Sequence, residues 1–257
     1  MRRFYLAREE IAKDMPAIGG DDARHIVQVL RLSAGDIIGL FDGSGVECEA
    51  RIVSTANRRV TVSVIRRSCP SSESPVKITV VQGLLKDKKM DGLIRQLSEM
   101  GATRFLPLRA RRSVPVPDIQ RLSGRITRWE KIAIEAAKQC GRSRILQITE
   151  PLSLDEVLAL CSQDDLKLVF WEKERQPLGR IALDPARSIQ KLIILLGPEG
   201  GWDPAEVEQA RACGFVTIGM GPRILRAETA AVAACALVQY VFGDMGQNVL
   251  DNHKDLQ

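Results

Sequence analysis

The strongest constraint on what this chain can fold into is an alternation that begins near residue 76. Five short apolar runs, at 77–83, 104–108, 167–171, 191–196 and 215–218, are interleaved with longer stretches of helical periodicity at 87–100, 119–139, 154–161, 204–213 and 228–242. Short runs rich in branched apolar residues predict buried strands, and apolar residues three and four apart predict helices. Strands interleaved with helices predict an α/β domain, a mainly parallel sheet with helices on both faces. Ser153 and Asp203 stand where helix N-caps belong, and Gly101 and Gly214 where helices end. Open sheets of this kind bind ligands at the carboxyl ends of their strands.

The first part of the chain has another pattern. A run at 36–41 leads into the turn Asp42-Gly43-Ser44-Gly45, residues 47–53 alternate polar with apolar, a turn follows at 57–59, and alternation resumes at 60–65. Half-buried strands joined by tight turns produce that pattern. With one helix expected at 22–30, it predicts a small β-barrel. A polar stretch at 69–75 supplies a linker. The expected domains are 1–70 and 76–245, followed by a frayed polar tail at 246–257.

Composition excludes several functions. The longest apolar run, 230–238, is far short of the roughly 20 residues a membrane span needs. No signal-peptide core follows the basic start, because Glu9, Glu10 and Asp14 arrive early, so a cytoplasmic location is expected. The six cysteines are scattered and only two histidines accompany them, so no metal site is expected and the thiols read as reduced, buried and inert. The formal net charge is +5, but residues 104–144 hold eleven Lys/Arg against three Asp/Glu. A basic segment in an otherwise slightly acidic chain fits a polyanion site, or else a solvated helix face.

Two glycine loops follow two of the expected strands. Leu196 runs into Gly197-Pro198-Glu199-Gly200-Gly201-Trp202, and Ile218 into Gly219-Met220-Gly221-Pro222-Arg223-Ile224-Leu225-Arg226-Ala227-Glu228-Thr229. The first matches neither a dinucleotide fingerprint nor a P-loop, so a dinucleotide or triphosphate site there is disfavoured. Each reads as an ordinary strand-to-helix turn or as one wall of a shared crevice for a small ligand. Arg226 and Glu228 flank the start of an alanine-rich helix whose free N–H groups could meet a ligand. Helix capping by Glu228 and a plain surface cation at Arg226 are the alternatives.

Leu196-Gly-Pro-Glu-Gly-Gly-Trp202 and Met220-Gly-Pro-Arg-Ile-Leu-Arg-Ala-Glu-Thr-Ala230 together closely resemble the two C-terminal motifs of the RsmE family, the small-subunit ribosomal RNA uridine N3-methyltransferases. Arg3-Phe4-Tyr5, the segments 25–31 and 41–45, Arg112-Ser113, and the segments 129–132 and 135–139 with Arg142 resemble further parts of that pattern. One departure is 144–148, where the family often carries a proline.

The resemblance implies a PUA-like β-barrel followed by a SPOUT domain with a deep trefoil knot, acting as a homodimer on ribosomal RNA of the small subunit. It implies S-adenosylmethionine as cofactor, held by Leu196, Gly197, Ile218 and Met220. Leu225, Thr229 and Ala230 would close the pocket, Gly200 and Gly201 would give close passage, and Phe170 would form a further wall. Loss of the uridine N3 proton precedes attack on the sulfonium methyl. Arg226 is expected to stabilise the resulting anion, with Arg112 contributing across the dimer and Glu228 serving as base or orienting Arg226. Arg109, Arg111, Arg142 and Arg144 are expected to neutralise RNA phosphates. A non-catalytic RNA-binding or assembly factor, or a SPOUT enzyme with a different RNA target, would keep the same fold.

Overall fold

The computed structural model describes residues 1–56, 58–68, 72–113, 119–161, 165–181 and 189–246. The expected tail beyond 246 and Cys69 lie outside them. The chain packs as two units, Met1–Glu73 with Ile134–Ile145, and Ser74–Ala133 with Leu146–Gln257.

In the first unit, β1 (Arg3–Tyr5), β2 (Ala17–Ile18), β3 (Ile37–Phe41), β4 (Glu47–Ala56) and β5 (Arg59–Ser68) form one sheet in the order β1-β3-β4-β5-β2. The β1 strand is parallel to β3 and the other pairings are antiparallel. Alternation decides which side chains point inward. Cys48, Ala50 and Ile52 of β4 join Val60 and Val62 of β5 in a core with Phe4, Ile18, Ile26, Ile38 and Leu40. The expected barrel is not seen as a closed sheet among the described residues. Its two- and three-residue strands β2 and β1 stand at opposite edges.

Two short helices, α1 (Arg8–Ile11) and α2 (Gly20–Arg24), accompany this sheet. The helix expected at 22–30 is not uniform, since α2 widens into a π-helical turn over His25–Val29. There Leu30 N–H donates to His25 O at 2.9 Å, five residues back. The wider turn buries Ile26 completely while Val27 and Val29 stay exposed.

The second unit is the expected α/β domain. Six strands, β6 (Lys77–Gly83), β7 (Arg104–Leu108), β8 (Gln147–Ile148), β9 (Leu166–Phe170), β10 (Lys191–Leu196) and β11 (Val216–Ile218), form a sheet in the order β11-β9-β10-β6-β7-β8. Every pairing in it is parallel. The helices of this unit are α3 (Asp87–Glu99), the part of α4 (Ile119–Cys140) up to Ala133, α5 (Leu154–Leu160), α6 (Pro204–Ala212) and α7 (Ala227–Phe242). Strand residues Val81, Leu106, Val169, Ile193 and Leu195 pack with Leu154 and Val157 of α5 and Val207 of α6. Ile78, Val80, Leu192 and Ile194 face the other way and are also buried; on that side α7 meets β6, β10 and α3. Both faces are covered, which is why these strands read as continuous apolar runs.

The caps match the sequence. Ser153 and Asp203 form capping boxes with Glu156 and Glu206. Gly101 and Gly214 end their helices with φ of 82° and 84°. Among the described residues no helix is long and apolar enough to cross a membrane, and no cluster of acidic, His and Cys residues could hold a metal ion. The cysteines are not uniformly buried: Cys48, Cys161 and Cys235 are, Cys140 is partly covered, and Cys213 is exposed just after α6.

Candidate active site

Three neighbouring strands end at one level. Register pairs Phe170 at the end of β9 with Leu196 at the end of β10 and with Ile218 at the end of β11. The loops that leave these ends enclose a cavity of about 500 Å³, within the range of small-molecule sites. Apolar walls come from Phe170, Leu196, Met220, Leu225 and Ala230, and charge from Lys89, Glu172, Glu199, Arg223 and Arg226.

Buried hydrogen bonds fix the loop after β10. The Trp202 indole N–H donates to Phe170 O at 3.0 Å, and the buried Gln82 amide donates to Gly197 O at 2.7 Å. Between them Gly201 N–H closes a turn on Pro198 O at 2.9 Å. Gly83 is where β6 passes this loop: a Cβ there would lie 2.5 Å from Pro198 N. Only glycine permits that approach.

Glu174 ties the loop after β9 to β11 and to α6. Its carboxylate accepts from the Thr217 hydroxyl at 2.6 Å, from Arg175 N–H at 2.7 Å and from Gln176 N–H at 3.1 Å, with the Arg211 guanidinium at 3.3 Å. The Thr217 hydrogen bond first, then the two backbone N–H groups and the Arg211 charge, hold its pKa down to about 2 from the ordinary 4.5. A group depressed in the folded state stabilises the fold fully above about 4.5, and that contribution is lost as pH falls toward 2. Thermal melts should therefore show wild type losing more stability than Glu174→Gln across this acid window; parallel declines would show that another group carries the acid sensitivity.

Lys89, from the first turn of α3, reaches two carboxylates at the cavity. Its ammonium is 2.5 Å from Glu199 Oε1 and 3.3 Å from Glu228 Oε1. The hydrogen bond to Glu199 first, with that to Glu228, raises its pKa above the ordinary 10.5. Glu228 Oε2 is buried without a hydrogen-bond partner among the described residues, as is the Trp171 indole N–H. Arg226 is the N-cap residue of α7 and gives it no side-chain cap.

Of the residues named from sequence, Phe170, Leu196, Gly197, Gly200, Gly201, Met220, Leu225, Arg226 and Ala230 surround one cavity. Ile218 lies fully buried beneath it, paired with Phe170. Thr229 is exposed and does not line the cavity. Glu228 contacts Lys89 and has no hydrogen bond or ion pair with Arg226 among the described residues. Arg112 passes so close to the glycine loop that a Cβ on Gly200 would lie 3.0 Å from its carbonyl oxygen. Its guanidinium, with that of Arg111, pairs with Asp203 at 3.5 and 3.6 Å.

Arg109, Arg111 and Arg144 are exposed. Arg142 corrects the expectation of a phosphate contact. It is 4% exposed and donates to Glu73 at 2.9 Å, so its charge is committed to the protein's interior. Sequence reasoning missed Lys89, Trp171, Glu172, Glu199, Trp202, Arg223 and Ile224. Glu199, Trp202, Arg223 and Ile224 stand inside the glycine motifs and follow from taking those motifs whole. Lys89 carried no local signal.

The comparisons agree with this architecture. Residues 72–239 match the RNA methyltransferase domain family, and residues 18–65 the RNA methyltransferase PUA domain. A Bacillus subtilis protein named ribosomal RNA small subunit methyltransferase E is 34% identical over 93% of this chain and 96% of its own length. A solved Neisseria gonorrhoeae protein of that name, bound to S-adenosyl methionine, is 30% identical with a TM-score of 0.85, covering 95% of this chain and 99% of its own. A Legionella pneumophila methyltransferase in complex with the cofactor SAM is 27% identical with a TM-score of 0.84, at the same two coverages. With its glycine loops at level strand ends and this likeness along nearly its whole length, the chain belongs to the ribosomal RNA small subunit methyltransferase E family.

Proposed function

We propose that this protein transfers a methyl group from S-adenosylmethionine to N3 of a uridine in small-subunit ribosomal RNA. The observation that carries the reading is the cavity at the level ends of β9, β10 and β11, walled by the two motif loops. Its apolar walls fit an adenine ring, and the uncommitted Trp171 indole N–H is a donor for a ligand acceptor. The Glu172 carboxylate at the cavity suits a cationic ligand. S-adenosylmethionine supplies, when bound, a methyl carried on positive sulfur. The chain's task is then to place the uridine and ease the loss of its N3 proton.

Arg226 suits that second task. It is exposed at the cavity and has no ion pair among the described residues, so it is free to meet negative charge as it develops on the uracil oxygens. Glu228 has one oxygen on Lys89 and the other closed from solvent, which suits a holder of charge better than a free base. Arg109, Arg111 and Arg112 on one unit and Arg144 on the other are exposed cations for RNA phosphates. A closed PUA-like barrel, a deep trefoil knot, a homodimer and a cytoplasmic location belong to the same reading. Leu237 and Tyr240, exposed on α7, support a second copy as partner.

Titration calorimetry with S-adenosylmethionine, paired with tritium transfer from its methyl group to small-subunit ribosomal RNA, tests the activity. Binding and transfer are both expected. Binding without transfer would support an assembly factor instead.

A further inference from the structure

Among the described residues three cations border the cavity, and one of them, Lys89, is committed to carboxylates. Among the described residues, Lys89 is paired with Glu199 and Glu228, while the exposed Arg223 and Arg226 guanidiniums have no ion pair or hydrogen bond. The carboxylates that Lys89 holds come from both motif loops. Glu199 lies in the loop after β10, and Glu228 in the first turn of α7, two residues beyond Arg226. Glu228 is costly to leave alone, because one of its oxygens is buried with no partner and a buried carboxylate needs a compensating cation. If Lys89 were absent, the nearest uncommitted cation along the chain would be Arg226.

Resting on the methyltransferase reading above, we propose that Lys89 is a positioning residue for methyl transfer: by holding Glu199 and Glu228 it keeps Arg226 and Arg223 free to face an anionic uracil. Both partners favour the charged form of the ammonium and raise its pKa above the ordinary 10.5. One lysine on α3 thus settles the charge of two loops that lie more than a hundred residues away in sequence.

The test is suppression. In single-turnover methylation with saturating S-adenosylmethionine, Lys89→Met should be about a hundredfold slower than wild type, the scale of losing a group that stabilises developing charge. Lys89→Arg, which keeps a cation between the carboxylates, should retain most of the rate. The triple variant Lys89→Met/Glu199→Gln/Glu228→Gln should recover about tenfold or more over Lys89→Met, because the two carboxylates that Lys89 had held can no longer capture the arginines. A merely structural lysine gives no such rescue, since two further substitutions would only add damage.

A wild-type rate in Lys89→Met, or a triple variant no faster than Lys89→Met, overturns the proposal. If Lys89→Met does not fold, Lys89→Gln carries the same comparison, with thermal melts alongside. Failure of the underlying reading looks different: the wild-type protein itself would place no methyl on uridine.

Discussion

Arg226→Ala is expected to slow single-turnover methylation by about a hundred- to a thousandfold, the usual consequence of removing one donor from a developing oxyanion. The structure makes this a clean substitution. Arg226 is exposed, makes no side-chain cap for α7 and has no ion pair among the described residues, so its loss breaks no side-chain hydrogen bond or ion pair among them. The melting temperature should stay near that of wild type. Affinity for S-adenosylmethionine, measured by calorimetry, should change far less than the rate. Arg226→Lys should restore only part of the activity, because an ammonium keeps the charge but not the planar pair of donors. Equal losses of affinity and rate would place Arg226 in cofactor binding instead.

Gly219→Ala is expected to be the most damaging single methyl group at the site. The added Cβ would lie 2.2 Å from Glu174 O and 2.8 Å from Glu174 C. The obstacle is backbone and cannot rotate away. Nor can Glu174 retreat easily, because Thr217, Arg211 and two backbone N–H groups hold its carboxylate. Forcing the loops apart should cost about 3 kcal/mol or more, at the upper end for overpacking. A chain of this size should then melt roughly 5–10 °C lower, and weaker cofactor binding should accompany the loss, since Met220 and Trp171 flank the displaced segments. Gly92→Ala is the control. It lies in α3 with nothing within 4 Å of the added Cβ, and alanine in a helix interior should stabilise by about 0.5–1 kcal/mol. Comparable losses in both variants would contradict the tight passage at Gly219.

Particular residues show what was legible in the sequence. The strands β6, β7 and β10 fall where their apolar runs predict, because burial on both faces leaves an uninterrupted signal bounded by charge or glycine. The crevice was legible for a related reason, since a strand end followed at once by glycines fixes where a loop starts and how closely it can approach a ligand; its individual wall residues came from the resemblance of the two motifs. Strands β1, β2 and β8 were not legible, since two or three residues show no period. The helix expected at 22–30 was read as regular because spacing does not reveal the widened turn that buries Ile26.

Charge was the poorest guide. Arg142 stands in a basic run yet is buried, because its partner Glu73 lies in a stretch that reads only as polar linker. Lys89 reads as one more lysine in a charged helix start, and its role appears only when the fold brings Glu199 and Glu228 to it. Contacts across a hundred residues leave no trace in spacing.

The central claim is that the methyl group lands on N3 of a uridine. Small-subunit ribosomal RNA incubated with the protein and isotope-labelled S-adenosylmethionine can be digested to nucleosides and resolved by mass spectrometry against authentic standards. The account predicts label in N3-methyluridine, formed about a hundred- to a thousandfold more slowly by Arg226→Ala. Label on a ribose hydroxyl or another base, or label formed by Arg226→Ala at the wild-type rate, would contradict it.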